Sequence, residues 1–142
     1  MHDPTGRAAP ENPSSPDAAL NVLYVDDDDD IRAVVEIALG IDSNMTTACV
    51  SSGQAALDAV AEFRPDIILL DVMMPVMDGP TTLALLRTRE PADATPVVFV
   101  TARTQEREVE RFLALGAAGV IAKPFDPMTL AAQVRAFLTP AG

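Results

Sequence analysis

Five side chains stand at the ends of short apolar runs. Asp26 and Asp27 follow Val22-Leu23-Tyr24-Val25, and Asp71 follows Ile67-Ile68-Leu69-Leu70. Thr101 follows Val97-Val98-Phe99-Val100, and Lys123 follows Gly119-Val120-Ile121-Ala122. Three carboxylates brought together repel, and burial raises their pKa values unless a cation holds them ionised. A few hard oxygen ligands with room for water suit Mg²⁺. In that setting Asp71 can attack a phosphorus while the metal and Lys123 neutralise the phosphoryl oxygens and Thr101 donates a hydrogen bond to one. Phosphoryl transfer relies mainly on such positioning and charge neutralisation. The product is an aspartyl phosphate.

Taken singly, most of these residues carry a plainer reading. A Lys-Pro pair is commonly a surface turn, and a Thr at a strand end is commonly a cap. Within the run Asp26–Asp30, the last three aspartates fit a solvated helix N-terminus, where negative charge is favourable. The run is no EF-hand, because the sixth position is Ile31 instead of Gly and the twelfth is Ile37 instead of Glu. It is the ordering of the five groups along the chain that carries the signal.

Positioning them requires strands that all end on one edge. Val22–Val25 and Met45–Val50 predict two strands, Ile67–Leu70 a third buried on both faces, Val97–Val100 a fourth and Gly119–Ala122 a fifth. Ile31, Val34, Val35, Ala38 and Leu39 recur at helical spacing before Gly40. Ser51-Ser52-Gly53 caps a helix that buries Ala56, Leu57, Val60 and Phe63, closed by Pro65. Asp78 and Pro80 open a helix through Leu83, Leu86 and Arg87. Two more helices are predicted from Gln105 to Leu115, stopped by Gly116, and from about Pro127 to Leu138. Alternating strands and crossover-length helices imply an α/β fold, a doubly wound five-stranded parallel sheet with helices on both faces. In such a sheet the first, third, fourth and fifth strands end together, and ligands collect there.

The 142 residues suffice for one domain with a sizeable core, which must be aliphatic because aromatics are 4%. A net charge of −11 argues against nucleic-acid binding by bulk electrostatics. The one cysteine, Cys49, reads as a small buried hydrophobe. Residues 1–19, with four prolines among polar and small residues, read as a disordered leader that includes the only histidine, His2. There is no signal-peptide pattern and no run near the ~20 apolar residues of a membrane span, so a cytoplasmic setting without membrane insertion is expected.

The motifs Val25-Asp26-Asp27, Leu70-Asp71-Val72-Met73-Met74-Pro75, Met77-Asp78-Gly79, Val100-Thr101-Ala102 and Ala122-Lys123-Pro124-Phe125 closely resemble the receiver domain of two-component response regulators. The resemblance covers about residues 20–140. It implies a flavodoxin-like sheet in the order 2-1-3-4-5, with Asp71 as phosphoacceptor and Mg²⁺ held by Asp27, Asp71 and the Met73 backbone carbonyl. Asp26 then orients the metal, often through water. It further implies Thr101 as the switch hydroxyl, Lys123 as the phosphate partner and a cis bond at Lys123-Pro124. Met73 and Arg103 fall at positions that tune phosphoryl lifetime. Val120 stands where many receivers have Tyr or Phe, and its short branched side chain lacks the reach of a swinging ring.

The implied function is a phosphorylation-dependent switch rather than a turnover enzyme. A histidine kinase or histidine phosphotransfer protein would donate the phosphoryl group, docking beside the first helix. A downstream protein would read the fourth and fifth helices with the fifth strand, and a homodimer is left open. No DNA-binding or enzymatic output domain follows residue 140, so a stand-alone receiver is expected. Two rivals are a phosphorylation-independent adaptor and a phosphohydrolase of the haloacid-dehalogenase kind. The latter needs a second acid two residues after its nucleophile, where this chain has Met73.

Overall fold

The computed structural model describes residues 19–138; the predicted leader and His2 lie outside them. The elements run β1 (Leu20–Val25), α1 (Asp29–Gly40), β2 (Met45–Val50), α2 (Gly53–Phe63), β3 (Ile67–Asp71) and α3 (Gly79–Leu86). A short 3₁₀ turn, Ala92–Ala94, precedes β4 (Val97–Thr101), α4 (Glu106–Ala114), β5 (Gly119–Ala122) and α5 (Leu130–Leu138). All strands are parallel, in the order β2-β1-β3-β4-β5. The expected sheet is therefore the observed one.

Side chains alternate across a strand, so each strand serves two cores. Leu23, Val25, Ile68, Leu70, Val97 and Phe99 face α2, α3 and α4, where Leu57, Val60, Leu83 and Phe112 meet them. Val22, Tyr24, Ile67, Leu69, Val98 and Ile121 face α1 and α5, against Val35, Leu39, Leu130 and Val134. Every residue of β3 and β4 is buried. That double burial explains why these two strands read as unbroken apolar runs.

The helix starts follow the capping logic of the sequence. Asp28 accepts from the amides of Asp30 and Ile31, Ser52 from Ala55 and Asp78 from Thr81. The last helix is the exception. It begins at Leu130, three residues later than Pro127, because Asp126 Oδ1 takes the Met128 amide at 2.9 Å and its carbonyl takes that of Thr129. This local turn competes with helix across Pro127–Thr129. β1 likewise starts earlier than expected, at Leu20, whose amide donates to the Asn44 carbonyl at 2.8 Å.

Between β3 and α3 the chain must turn sharply. The Met77 amide donates to the Pro75 carbonyl at 2.7 Å around Val76, whose φ is +70°. Such a γ-turn is costly for a β-branched residue. Gly79 then donates to the Val72 carbonyl at 2.9 Å and lies against the strand end. A Cβ there would sit 2.5 Å from the Asp71 carbonyl oxygen and 2.9 Å from the Val72 Cα. At the opposite edge, the Arg135 guanidinium grips Asp42 with two bonds of 2.6 and 3.1 Å, tying α5 to the α1–β2 turn.

Two outcomes are expected. Gly79→Ala must displace backbone, so it should lose about 1–3 kcal/mol in urea denaturation; an unchanged midpoint would contradict the close approach. The Arg135 bonds hold the Asp42 carboxyl below its ordinary value despite some burial. Such a lowered group adds stability above its unfolded pKa and loses it as pH falls through the folded value. Asp42→Asn should therefore cost about 1 kcal/mol near pH 7 and progressively less as pH falls below the ordinary carboxylate value, measured by the same denaturation.

Candidate functional site

Strand parity decides which side chains meet. Tyr24 and Asp26 leave β1 on the α1/α5 face, and Ile67, Leu69 and Asp71 leave β3 on that same face. Lys123 keeps this parity two residues beyond Ile121, and its amide extends the ladder by donating to the Thr101 carbonyl at 2.9 Å. Its ammonium thus reaches Asp26 Oδ2 at 2.9 Å and Asp71 Oδ1 at 3.2 Å. Thr101 leaves β4 on the opposite face, and its Oγ1 accepts the Arg103 amide at 3.0 Å.

Asp26 is almost fully enclosed, at 1% exposure. Its Oδ2 accepts from the Tyr24 hydroxyl at 2.7 Å as well as from Lys123, and its Oδ1 accepts from the Asp28 amide at 3.0 Å. Arg32, from α1, donates Nη1 to the Asp26 carbonyl at 2.7 Å and pairs through Nη2 with Asp29. Asp27 is exposed and Asp71 is buried. One oxygen from each of Asp26, Asp27 and Asp71 lies within 4.8 Å of the others. These carboxylates line a cleft of about 400 Å³ together with Met73, Thr101 and Lys123. All the residues singled out from the sequence therefore border one space.

The charges are unevenly settled. Burial works against ionised Asp26, but the Asp28 amide, Lys123 and the Tyr24 hydroxyl outweigh it and leave the carboxyl below its ordinary value. Asp71 is pushed up to about 6, first by burial and then by the Asp26 charge, with Lys123 offsetting only part. Lys123 loses by burial yet is held above its ordinary value by the two aspartates. Burial and Asp26 both raise the Tyr24 phenol, which stays a donor.

An all-oxygen donor set of this size, with two of three carboxylates buried and one at the rim, fits a hard divalent cation such as Mg²⁺. The expected fit is thus met by the residues themselves. Two contributors were missed in the sequence, Tyr24 and Arg32. Tyr24 carried a signal: it is the one hydroxyl in an aliphatic run and stands two residues before Asp26, hence on its face. Arg32 carried none, since its partner is a backbone carbonyl six residues back.

Beside this cleft is a second, of about 390 Å³, walled by Ile31, Val34, Pro124 and Phe125 with Lys123 at its edge. Val34, Ile37 and Ile41 continue an exposed apolar stripe down α1. The Lys123-Pro124 bond that frames the cleft is cis, as the resemblance implied. Cys49, read from the sequence as a small buried hydrophobe, is only half-buried beside Arg32, and its thiol is pushed up to about 12 by burial and Glu36. No described helix is long and apolar enough to cross a membrane.

Comparison with known proteins places these features in context. The family model for the response regulator receiver domain matches residues 22–135. The transcriptional regulatory protein CseB of Streptomyces avermitilis is 40% identical over 118 residues, which are 83% of this chain and 48% of that protein. The DNA-binding response regulator MtrA of Mycolicibacterium smegmatis is 41% identical over 118 residues, 82% of this chain and 50% of that one. The chain therefore spans about half the length of these curated relatives. Among solved structures, the chemotaxis protein CheY4 of Vibrio cholerae superposes with a TM-score of 0.77 at 32% identity, over 84% of this chain and 99% of that one.

The raised Asp71 value sets a pH signature. Between the ordinary 3.8 and about 6 the folded chain holds a proton that the unfolded chain has released, so stability falls as pH rises through that window. In chelator, Asp71→Asn should exceed wild type by about 2 kcal/mol near pH 8, and the gap should close below about pH 4. Excess Mg²⁺ should narrow it at the higher pH. A gap that ignored pH in thermal melts would sink this account of the site.

Proposed function

The chain belongs to the response regulator receiver domain family, and from that premise we propose that Asp71 is its phosphoacceptor. Receiver domains are signalling modules rather than turnover enzymes, and this one is read as a switch on protein binding. The observation that carries the reading is the Lys123 ammonium bridging Asp26 and Asp71, 2.9 and 3.2 Å away, in the cleft that also holds Asp27 and Thr101.

Each residue has a task that follows from its surroundings. An Asp71 carboxylate oxygen attacks the phosphorus of a donor phosphohistidine. The phosphorus–nitrogen bond breaks, the imidazole keeps the electron pair and then takes a proton from solvent. Lys123, already beside Asp71, follows the phosphoryl oxygens. The Arg103 amide fills an acceptor site on Thr101 Oγ1, which leaves the Thr101 hydroxyl proton to turn toward a phosphoryl oxygen. Asp26, Asp27, Asp71 and the Met73 carbonyl would hold Mg²⁺, which supplies charge neutralisation at the phosphoryl group when bound. Arg103 and Met73 border the same cleft and would influence how long the phosphoryl group survives.

The donor is read as a histidine kinase or a histidine phosphotransfer protein. The apolar cleft between Ile31 and Phe125, opening beside Lys123, supports docking along α1. The target is read as a protein that binds the α4–β5–α5 face, where Leu113 and Leu115 are exposed; pairing of two copies there is a competing use. Val120 is half-buried against the α4-side core, so the signal from Thr101 would pass without an aromatic swing. Action in the cytoplasm and no direct nucleic-acid contact belong to the same proposal. Against the latter stand relatives twice as long, named as transcriptional or DNA-binding regulators.

The test is intact mass after incubation with Mg²⁺ and a small acyl phosphate, then with phosphorylated histidine kinases. Wild type should gain one phosphoryl group, lost on chelation, and Asp71→Asn should gain none. Equal labelling of both proteins would move the acceptor elsewhere. Partner binding that is unchanged in Asp71→Asn would favour a phosphorylation-independent adaptor.

A further inference from the structure

We propose that Tyr24 is a positioning residue that holds Asp26 in place while Lys123 changes partner. The inference rests on the reading of Asp71 as phosphoacceptor. Asp26 Oδ2 accepts two bonds, one from Tyr24 at 2.7 Å and one from Lys123 at 2.9 Å. Lys123 already divides itself between Asp26 and Asp71. Once Asp71 carries a phosphoryl group, the added negative charge draws the ammonium toward it. A buried carboxylate oxygen that lost its only donor would bear the full desolvation penalty, so a site with Lys123 alone on Oδ2 would resist the transfer.

Tyr24 removes that resistance. Its ring is fully enclosed in the α1/α5-side core with Val35, Leu39 and Leu69, so its hydroxyl cannot follow the lysine. The Asp28 amide holds the other oxygen at 3.0 Å from a capped helix start. With both anchors in place, Asp26 keeps its orientation when the cation leaves. The neighbouring positions on this strand face, Leu20 and Val22, are buried and aliphatic. A phenylalanine would fill the same core, and only the oxygen distinguishes Tyr24 from that purely structural alternative.

Tyr24→Phe isolates that oxygen. At saturating Mg²⁺, wild type and Tyr24→Phe are titrated with beryllofluoride, a tetrahedral mimic of a carboxylate-bound phosphoryl group, and followed by amide NMR signals of residues 101–105. Loss of the hydroxyl should weaken beryllofluoride occupancy about tenfold. Mg²⁺ affinity without beryllofluoride should change less than about threefold, because Lys123 still holds Asp26 in that state. A structural defect would instead weaken both alike, and that result, or equal beryllofluoride affinity in the two proteins, overturns the proposal. The chain has one tyrosine and no tryptophan, so the long-wavelength edge of its near-ultraviolet absorbance, beyond the phenylalanine bands, reports Tyr24 alone. In wild type the red shift of a phenol bonded to a carboxylate should persist on loading, and its disappearance would also overturn the proposal. Failure of wild type to take up either Mg²⁺ or beryllofluoride overturns the proposed function itself; normal uptake with no Tyr24→Phe effect removes only the role of Tyr24.

Discussion

Two carboxylates enclosed at the edge of one sheet repel each other and forfeit hydration, and a single ammonium, 97 residues beyond Asp26 in the chain, stands between them. Much of the site follows from that arrangement. Lys123 is enough to keep Asp26 ionised, because Asp26 also has a backbone amide and a phenol to lean on. It is not enough for Asp71, whose carboxyl remains above its ordinary range. The resulting inequality separates a settled carboxylate, suited to organising the pocket, from an unsettled one whose charge a divalent cation would stabilise and a phosphoryl transfer would use.

The fold serves this inequality by parity. A parallel sheet buried on both faces sends alternate residues into two cores. Asp26, Asp71 and Lys123 share the parity of the α1/α5-side core, whereas Thr101 extends from the other side of β4. Lys123 and Thr101 can therefore approach a group on Asp71 from different directions. The β3–α3 turn, closed by Gly79 against the Asp71 carbonyl, holds the Asp71 backbone from behind. Stability elsewhere comes from devices remote from the chemistry, among them the Arg135–Asp42 fork.

Membership of the receiver family accounts for the order of the motifs. Val120 gives the α4–β5–α5 side a short branched contact in place of a ring, and Tyr24 adds a hydroxyl beneath the acidic pair. Relatives named as DNA-binding and transcriptional regulators share about 40% identity over the matched segment and extend to about twice its length. The structural likeness to a chemotaxis protein covers nearly all of that protein. The same receiver domain thus occurs in proteins named for different roles.

The amino-acid sequence by itself determined the strand and helix order, because apolar runs, caps such as Ser52 and Asp78, and breakers such as Pro65 are local signals that tertiary contacts here reinforce. It also determined the chemistry-bearing set, since Asp26, Asp27, Asp71, Thr101 and Lys123 all fall at strand ends that a parallel sheet must bring to one edge. It misplaced the start of α5, where the Asp126 side chain claims the Met128 amide and a local turn replaces the first helical residues. What only the tertiary structure decided is the wiring. Which oxygen of Asp26 meets Lys123, that Tyr24 shares it, that Arg32 reaches back to a carbonyl, and that Asp71 stays unsettled while Asp26 does not all depend on distances of about 3 Å, whether the partner is two residues away, as Tyr24 is, or 97, as Lys123 is. Burial and charge act through such separations, and a sequence specifies them only by way of the packing of both cores.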